Sequence, residues 1–418
     1  MENLHIFKGS FIDTPQKDTF RVRGNCYLVA ADGMVEGIYS ALPGKYGSAA
    51  VTDLGGDVMI PSFIDLHIHA PQDLQTGLGM DLDLIDWLNT YTFPMEARYS
   101  DPGYARKMHP LFAGELLSNG TLRSVILGTV HNESNDILIG ALKENGLSAY
   151  VGKMNMDRNA PPGLSQTTAE SLNETKAFCQ KHKDDALIRP IVTPRFVPSC
   201  SSELMKGLSD IAAEYGLPVQ SHLSENKREI AWVKKLYPES RNYCSVYDEH
   251  GLFGRTKTLM AHGIHLSEDE TEMCAAKDVR LVHCPAANLN LTSGIMPVTR
   301  YLDSGLDIGL GSDVGAGHTA AMNKIIVQAV QSSKILSLYS PGSRVLSLSE
   351  AFFLATKANG EFWGKTGCFE PGYSFDALTV RDEHGLLGEL EPLNILERFL
   401  YRGDDRWITK RYLEGKKL

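Results

Sequence analysis

His67 and His69 stand two residues apart at the end of an apolar run that includes Ile60, Phe63, Ile64, Leu66 and Ile68. Residues 59–72 read as one buried strand ending in this pair. Side chains alternate along a strand, so both imidazoles point to the same face. Two neutral imidazoles at a strand end can hold one metal ion. Other apolar runs end in chemistry-bearing groups: Thr193-Pro194-Arg195-Phe196, Ser221-His222-Leu223-Ser224-Glu225, Ala261-His262-Gly263 and Gly311-Ser312-Asp313. His67, His69, His222 and Asp313 together offer three nitrogens and a carboxylate, a donor set for zinc that iron or manganese would also accept. Such an ion lowers the pKa of a bound water to about 7, which gives a nucleophile at neutral pH. Glu225, three residues after His222, could carry a proton to a ring nitrogen and on to a leaving amine, work worth about 10²–10⁴-fold. His262 could orient the water or the substrate. Each residue alone has an ordinary reading as a core histidine, a helix cap or a solvated glutamate. Several strands carrying such groups at the same end favour the functional reading.

The elements that must position these groups repeat as strand then helix. Apolar strand candidates fall at 59–72, 122–130, 149–156, 187–196, 218–223, 258–264, 279–283 and 306–311. Amphipathic stretches at 104–117, 169–179, 203–215, 226–236, 267–276 and 350–358 separate or follow them. Eight such units predict an α/β chain built on a (β/α)8 TIM barrel, whose sites form at the C-terminal strand ends. A doubly wound open sheet would want a Gly-rich fingerprint after the first strand; Ala70-Pro71-Gln72-Asp73 stands there instead. Residues 3–58 read as short strands, with 6–7 and 11–12 split by Lys8-Gly9-Ser10 and a hairpin turning at Asp32-Gly33. With a strand at 376–380, both chain ends are expected to pair into one small β-sandwich domain, residues 1–58 plus 366–418, beside a barrel at 59–365. The long connection 70–100 holds a lid helix at 82–93, with Trp87, Tyr91 and Phe93 as its anchors.

Composition narrows the function. The 418 residues carry a net charge of −10, which argues against a nucleic-acid surface. No run is long enough for an apolar membrane span, and the start of the chain lacks a basic region followed by an apolar one, so no signal peptide is expected. Seven cysteines without a CxxC suit reduced thiols in the cytoplasm. Among the remaining histidines, His131 reads as a turn residue that could face the pocket, and His265 and His283 as structural. His5, His109, His182, His250 and His384 are expected on surfaces or loops.

The motifs P-S-F-I-D-L-H-I-H, S-H-L-S-E-N, M-A-H-G, V-H-C-P-A-A-N and G-L-G-S-D resemble the amidohydrolase superfamily in its mononuclear deaminase branch. D-L-H-I-H-A-P-Q, Y-T-F-P-M-E, V-G-K-M-N-M-D, I-V-T-P-R-F and F-L-Y-R-G-D-D-R narrow the likeness to the guanine deaminases. It runs from about Pro61 to the end; the first fifty residues match loosely. Ala286-Ala287 stand where a Ser or Asn commonly precedes the last Asn, a departure expected to matter little. The resemblance implies a barrel with a small β domain and one divalent metal per chain, zinc or else iron. It also implies a homodimer that hydrolyses guanine to xanthine and ammonia. By motif match His67, His69, His222 and Asp313 take the ligand roles and Glu225 the proton shuttle. Asp313 also accepts a proton from the water, and Gln72, Arg195 and Phe196 bind the purine. Arg195 offers only donors, which suits a guanine carbonyl; Gln72 offers both kinds of group to a lactam edge; Phe196 could cover the ring. No P-C-x-x-C occurs, so the other zinc deaminase design is excluded. Binuclear amidohydrolases usually carry a modified lysine on the fourth strand; residues 187–198 contain none. The alternatives are deamination of cytosine, an adenine derivative or a pterin, or a non-catalytic scaffold.

Overall fold

The computed structural model describes residues 4–382 and 390–418. His384 lies outside them. Eight parallel strands form the centre: β1 (Phe63–His69), β2 (Thr121–Leu127), β3 (Ser148–Gly152), β4 (Ile188–Pro190), β5 (Val219–Leu223), β6 (Thr258–His262), β7 (Val279–His283) and β8 (Ile308–Leu310). They pair in order as two four-stranded halves, β1-β2-β3-β4 and β5-β6-β7-β8. Backbone bonds join the halves on both sides. Gln220 N donates to Val192 O at 3.0 Å, and Asp313 N donates to His67 O at 2.8 Å. The second seam sets the residues after β8 directly against the end of β1.

The sequence says why helices follow these strands. Four of them start in reciprocal capping boxes, Thr167/Glu170, Asn226/Glu229, Ser267/Glu270 and Ser347/Glu350, where the cap side chain and the third helical residue satisfy each other's backbone donors. The helix Met322–Tyr339 has no counterpart among the expected elements, although Ile325, Ile326, Ala329 and Val330 recur at helical spacing and are buried. Inside the barrel Ile64, Leu66, Val125, Leu127, Leu259, Ala261 and Val282 meet in one cluster. Ile68, Ile126 and Val151 belong to a second apolar layer shared with the outer helices.

The expected strand at 59–72 is two strands. Thr52–Pro61 belongs to another sheet, in which Pro61 faces Ala377. At Ser62 the chain changes partners: Ser62 N donates to Asp376 O, and Phe63 N to Gly120 O. An unbroken apolar run hides this switch because both sides of it are buried. Leu4–Gln16 is likewise one strand, with a register shift between Gly9 and Phe11 where a split was expected. It joins a seven-stranded sheet in the order Lys416–Lys417, Ile408–Leu413, Ala377–Val380, Thr52–Pro61, Leu4–Gln16, Thr19–Ala31, Met34–Tyr39. The hairpin at Asp32-Gly33 is present. Phe7 and Tyr412 sit three strands apart in this order, roughly 14 Å in a flat sheet. Their rings lie 5.3 Å apart, so the sheet folds over on itself around Phe7, Phe11, Leu28, Met59 and Phe375. The two packed layers of the expected sandwich are thus faces of one continuous sheet.

The lid is also more broken than expected. Leu84–Trp87 is α-helical, Leu88–Thr92 is a π turn, and Phe93–Ala97 is α-helical again. Two histidines expected on surfaces are buried. His109 packs on the Tyr99 ring with Nε2 3.0 Å from Ser134 Oγ, and His182 Nε2 lies 2.8 Å from Asp136 Oδ1. Both sit on the inner faces of helices, which loop-like local sequence does not reveal.

Candidate active site

The end of β1 carries His67 and His69, and a bulge lets both reach the site. The pairing of β1 with β2 shifts register between Asp65 and Ile68. Leu66 therefore fills the barrel interior while the adjacent His67 joins the polar cluster above it. Asp65 anchors the turn from beneath. Its Oδ1 accepts from His67 N at 3.0 Å and Ser312 N at 3.1 Å, and its Oδ2 accepts from Ser312 Oγ at 2.5 Å. These bonds tie β1 to the segment that presents Asp313. Asp313 and His262 sit at φ 52° and 72°, left-handed positions that cost a non-glycine residue about 1 kcal/mol or more each. Strain of this kind at two strand ends is held by the surrounding bonds and is typical of functional sites.

His67, His69, His222 and Asp313 lie with their ligand atoms within 4.8 Å of one another. Asp313 Oδ1 is 3.3 Å from His67 Nε2 and 3.4 Å from His69 Nε2, and His69 Nε2 is 3.2 Å from His222 Nε2. His222 Nδ1 donates to Arg195 O at 2.6 Å, so its Nε2 turns a lone pair toward the cluster. His67 Nε2 is buried with no hydrogen-bond partner. Burial lowers all three histidines, His69 to about 4 and His222 well below its usual value, which keeps the rings neutral. Burial works against the Asp313 charge, but the contacts of His67 and His69 hold its carboxyl well below the usual range. Three neutral imidazoles facing one carboxylate, with an orphaned buried nitrogen among them, fit a single metal ion.

Beside this cluster stands a second carboxyl of opposite character. Burial and the Asp313 charge push Glu225 up to about 8, against one hydrogen bond from Ser293 Oγ at 3.2 Å. Burial thus favours the protonated form of Glu225 while the histidine contacts favour the ionised form of Asp313, a pair of environments that divides acid from base. His262 Nε2 lies 3.4 Å from Glu225 Oε2 and 3.8 Å from Asp313 Oδ2. Its Nδ1 donates to Asn288 Oδ1 at 2.9 Å, which turns Nε2 toward both carboxyls.

A cavity of about 400 Å³, its open mouth included, connects these groups to Gln72, Arg195 and Phe196. His67 lies below the lining. Leu84, Trp87 and Leu88 of the lid form the apolar wall. Trp87, expected only as an anchor, does both jobs: its Nε1 donates to Leu78 O at 2.9 Å and its ring lines the cavity. His131 does not line it. His283 is fully buried in the barrel. Sequence reasoning passed over Glu96, Asp65 and Asn288. Glu96 binds both Gln72 and Arg195, so neither is the free donor set expected: Arg195 Nη1 and Nη2 reach the Glu96 carboxylate at 2.5 and 3.0 Å. The signals available were the glutamate inside Y-T-F-P-M-E and the aspartate two residues before His67.

The family pattern described as "Amidohydrolase family" matches residues 58–418. The chain belongs to the amidohydrolase family. Among curated members, this amidohydrolase is 37% identical to guanine deaminase of Homo sapiens, over 99% of this chain and 96% of the human one. It is 35% identical to guanine deaminase of Escherichia coli K12, over 99% and 97%. A solved guanine deaminase from C. acetobutylicum, with guanine bound in its active site, is 47% identical and covers all of both chains at a TM-score of 0.98. Triazine hydrolase from Arthobacter aurescens, 17% identical with a TM-score of 0.88, shares the fold. Among the described residues no helix is long and apolar enough to cross a membrane.

Proposed function

We propose that this amidohydrolase hydrolyses guanine to xanthine and ammonia. The observation that carries the reading is the full-length match to the guanine-bound deaminase of C. acetobutylicum. The chemistry of the cavity supports it: the carboxyls of Asp313 and Glu225 and the donors and acceptors of Gln72 and Arg195 line the same space.

In this reading His67, His69, His222 and Asp313 hold one divalent ion, zinc or else iron. When bound, the ion supplies a water activated for attack at neutral pH. Gln72 and Arg195 fix the lactam edge of the purine, and Phe196 and Trp87 border its ring. Asp313, ionised, takes a proton from the water as it adds to the amine-bearing ring carbon. Glu225 gives its proton to the neighbouring ring nitrogen, takes the proton of the added hydroxyl as the carbonyl forms and passes it to the departing amine, and the proton held by Asp313 then returns to Glu225. His262, set by Asn288, orients the reacting oxygen. Water adds, ammonia leaves, and the ring keeps the new carbonyl.

The barrel unit runs from Phe63 in this proposal, since the strand ending at Pro61 serves the folded-over sheet; the strands within 4–61, 377–380 and 408–417 make the companion domain. A homodimer and a cytoplasmic setting complete it; seven free cysteines suit a reducing compartment. The test is ammonia release from guanine by the metal-loaded protein, with cytosine, adenine and a pterin alongside and metal content read on the same sample. Selective release from guanine with one ion per chain supports the proposal. A metal-loaded protein that leaves guanine intact overturns it.

A further inference from the structure

Glu96 and Arg195 are each only 3% exposed; Arg195 lines the cavity and Glu96 stands behind it. Arg195 Nη1 donates to Glu96 Oε2 at 2.5 Å and Nη2 to Oε1 at 3.0 Å. Gln72 Nε2 donates to the same Oε1 at 2.8 Å, and Gly315 N donates to Gln72 Oε1 at 3.3 Å. Gln72 and Arg195 line the cavity, and Glu96 does not. The Phe93 ring lies 5.0 Å from the Arg195 guanidinium carbon, which keeps water from that side of the pair.

A guanidinium lining a partly enclosed cavity attracts anions more strongly than one in open water, because the attraction is less screened there. Paired with Glu96, the wall carries no net charge. Of the five Arg195 N–H groups, three stay free of Glu96, so the residue can still donate to a carbonyl oxygen. Asp313 and Glu225 line the same cavity. On the reading that guanine is the substrate, an uncharged lactam enters, and the dioxopurine that leaves has an acidic imide N–H.

We infer that Glu96 is a specificity-determining residue: by cancelling the Arg195 charge it selects an uncharged lactam purine over a purine anion, and so favours release of the acidic product. Glu96 acts through Arg195 and Gln72, as a positioning residue, and touches no reacting atom. Since Asp313 and Glu225 are the same in parent and variant, a comparison at Glu96 isolates its charge.

The experiment is calorimetric binding of hypoxanthine, a neutral lactam, and xanthine, at a pH above the ionisation of xanthine. It uses metal-loaded parent, Glu96→Gln and Glu96→Asp proteins. The parent should bind hypoxanthine at least tenfold more tightly than the xanthine anion. Glu96→Gln should gain tenfold or more in xanthine affinity, and Glu96→Asp, which keeps the charge, should retain the parent preference. A damaged fold weakens binding of both purines, so a gain for one cannot come from damage. An unchanged ratio in Glu96→Gln overturns the inference. If that variant does not fold, the parent alone decides: xanthine anion bound as tightly as hypoxanthine overturns it. Guanine turnover by the parent is read in parallel. Turnover with no preference for the neutral purine sinks only this inference, whereas no turnover and no binding of either purine sinks the substrate reading beneath it.

Discussion

Glu225→Gln should make the protein more stable and almost inactive. The glutamine keeps the shape and can still accept the Ser293 hydroxyl, but it has no transferable proton. Loss of the general acid is expected to lower kcat by about 10²–10⁴-fold. The stability change follows from the same burial. The Glu225 carboxyl titrates near 8 in the native protein against 4.5 when exposed. Between those values the unfolded chain has released a proton that the native protein keeps, so stability falls as pH rises through the window. At 1.36 kcal/mol per unit, the full penalty above pH 8 is about 3–5 kcal/mol. The amide, which does not ionise, escapes it. Urea unfolding of the metal-free parent and variant at pH 5 and pH 8 reads the difference; metal-free protein is used because a bound cation lowers the Glu225 pKa. The variant should gain little near pH 5 and several kcal/mol at pH 8. A gap independent of pH would show that Glu225 is not held as an acid, and near-parental turnover would remove it from the proton path.

Arg195→Ala should raise KM or depress kcat with guanine, and should cost about 3–5 kcal/mol because Glu96 is left buried without its partner. The Arg195→Ala/Glu96→Gln double variant should recover part of that stability in a urea double-mutant cycle, and simple additivity would refute the coupling. Burial lowers His109 to about 4, against 6.5 when exposed. The unfolded chain takes up that proton first, so stability is lost as pH falls from 6.5 to 4, by about 3 kcal/mol. His109→Gln should flatten that loss in urea midpoints measured across the same range. Chelation should lower the thermal midpoint, and the stability lost grows with metal affinity, about 4 kcal/mol for an ion present at a thousand times its Kd. His67→Ala, which removes the ligand with the orphaned nitrogen, should lose most of that chelator response.

The metal-competent residues were legible because each ends an apolar run, and runs of that kind are the local signature of buried parallel strands. His67, His69, His222, Glu225, His262 and Asp313 could be named for that reason, and the repeated strand–helix texture implied the barrel that gathers them. The capping boxes that start the helices were local too. The helix Met322–Tyr339 was legible in principle from its apolar spacing.

Other features depend on contacts between residues far apart in the chain. Alternation alone sets His67 and Leu66 on opposite faces; the bulge between Asp65 and Ile68, created by pairing with β2, lets Leu66 enter the barrel and His67 the site. Ser62 ends one sheet and begins another only because Asp376 and Gly120 stand on either side of it. Burial beside the Asp313 charge, 88 residues away in sequence, raises Glu225, and the His67 and His69 contacts hold Asp313 low. Glu96 meets Arg195 across a separation of 99 residues, and that pairing turns a motif arginine from a free cation into half of a neutral wall. Sequence determined which groups were available and which strands carried them. Tertiary structure decided their charge and their direction, because both depend on neighbours brought together only when the barrel closes.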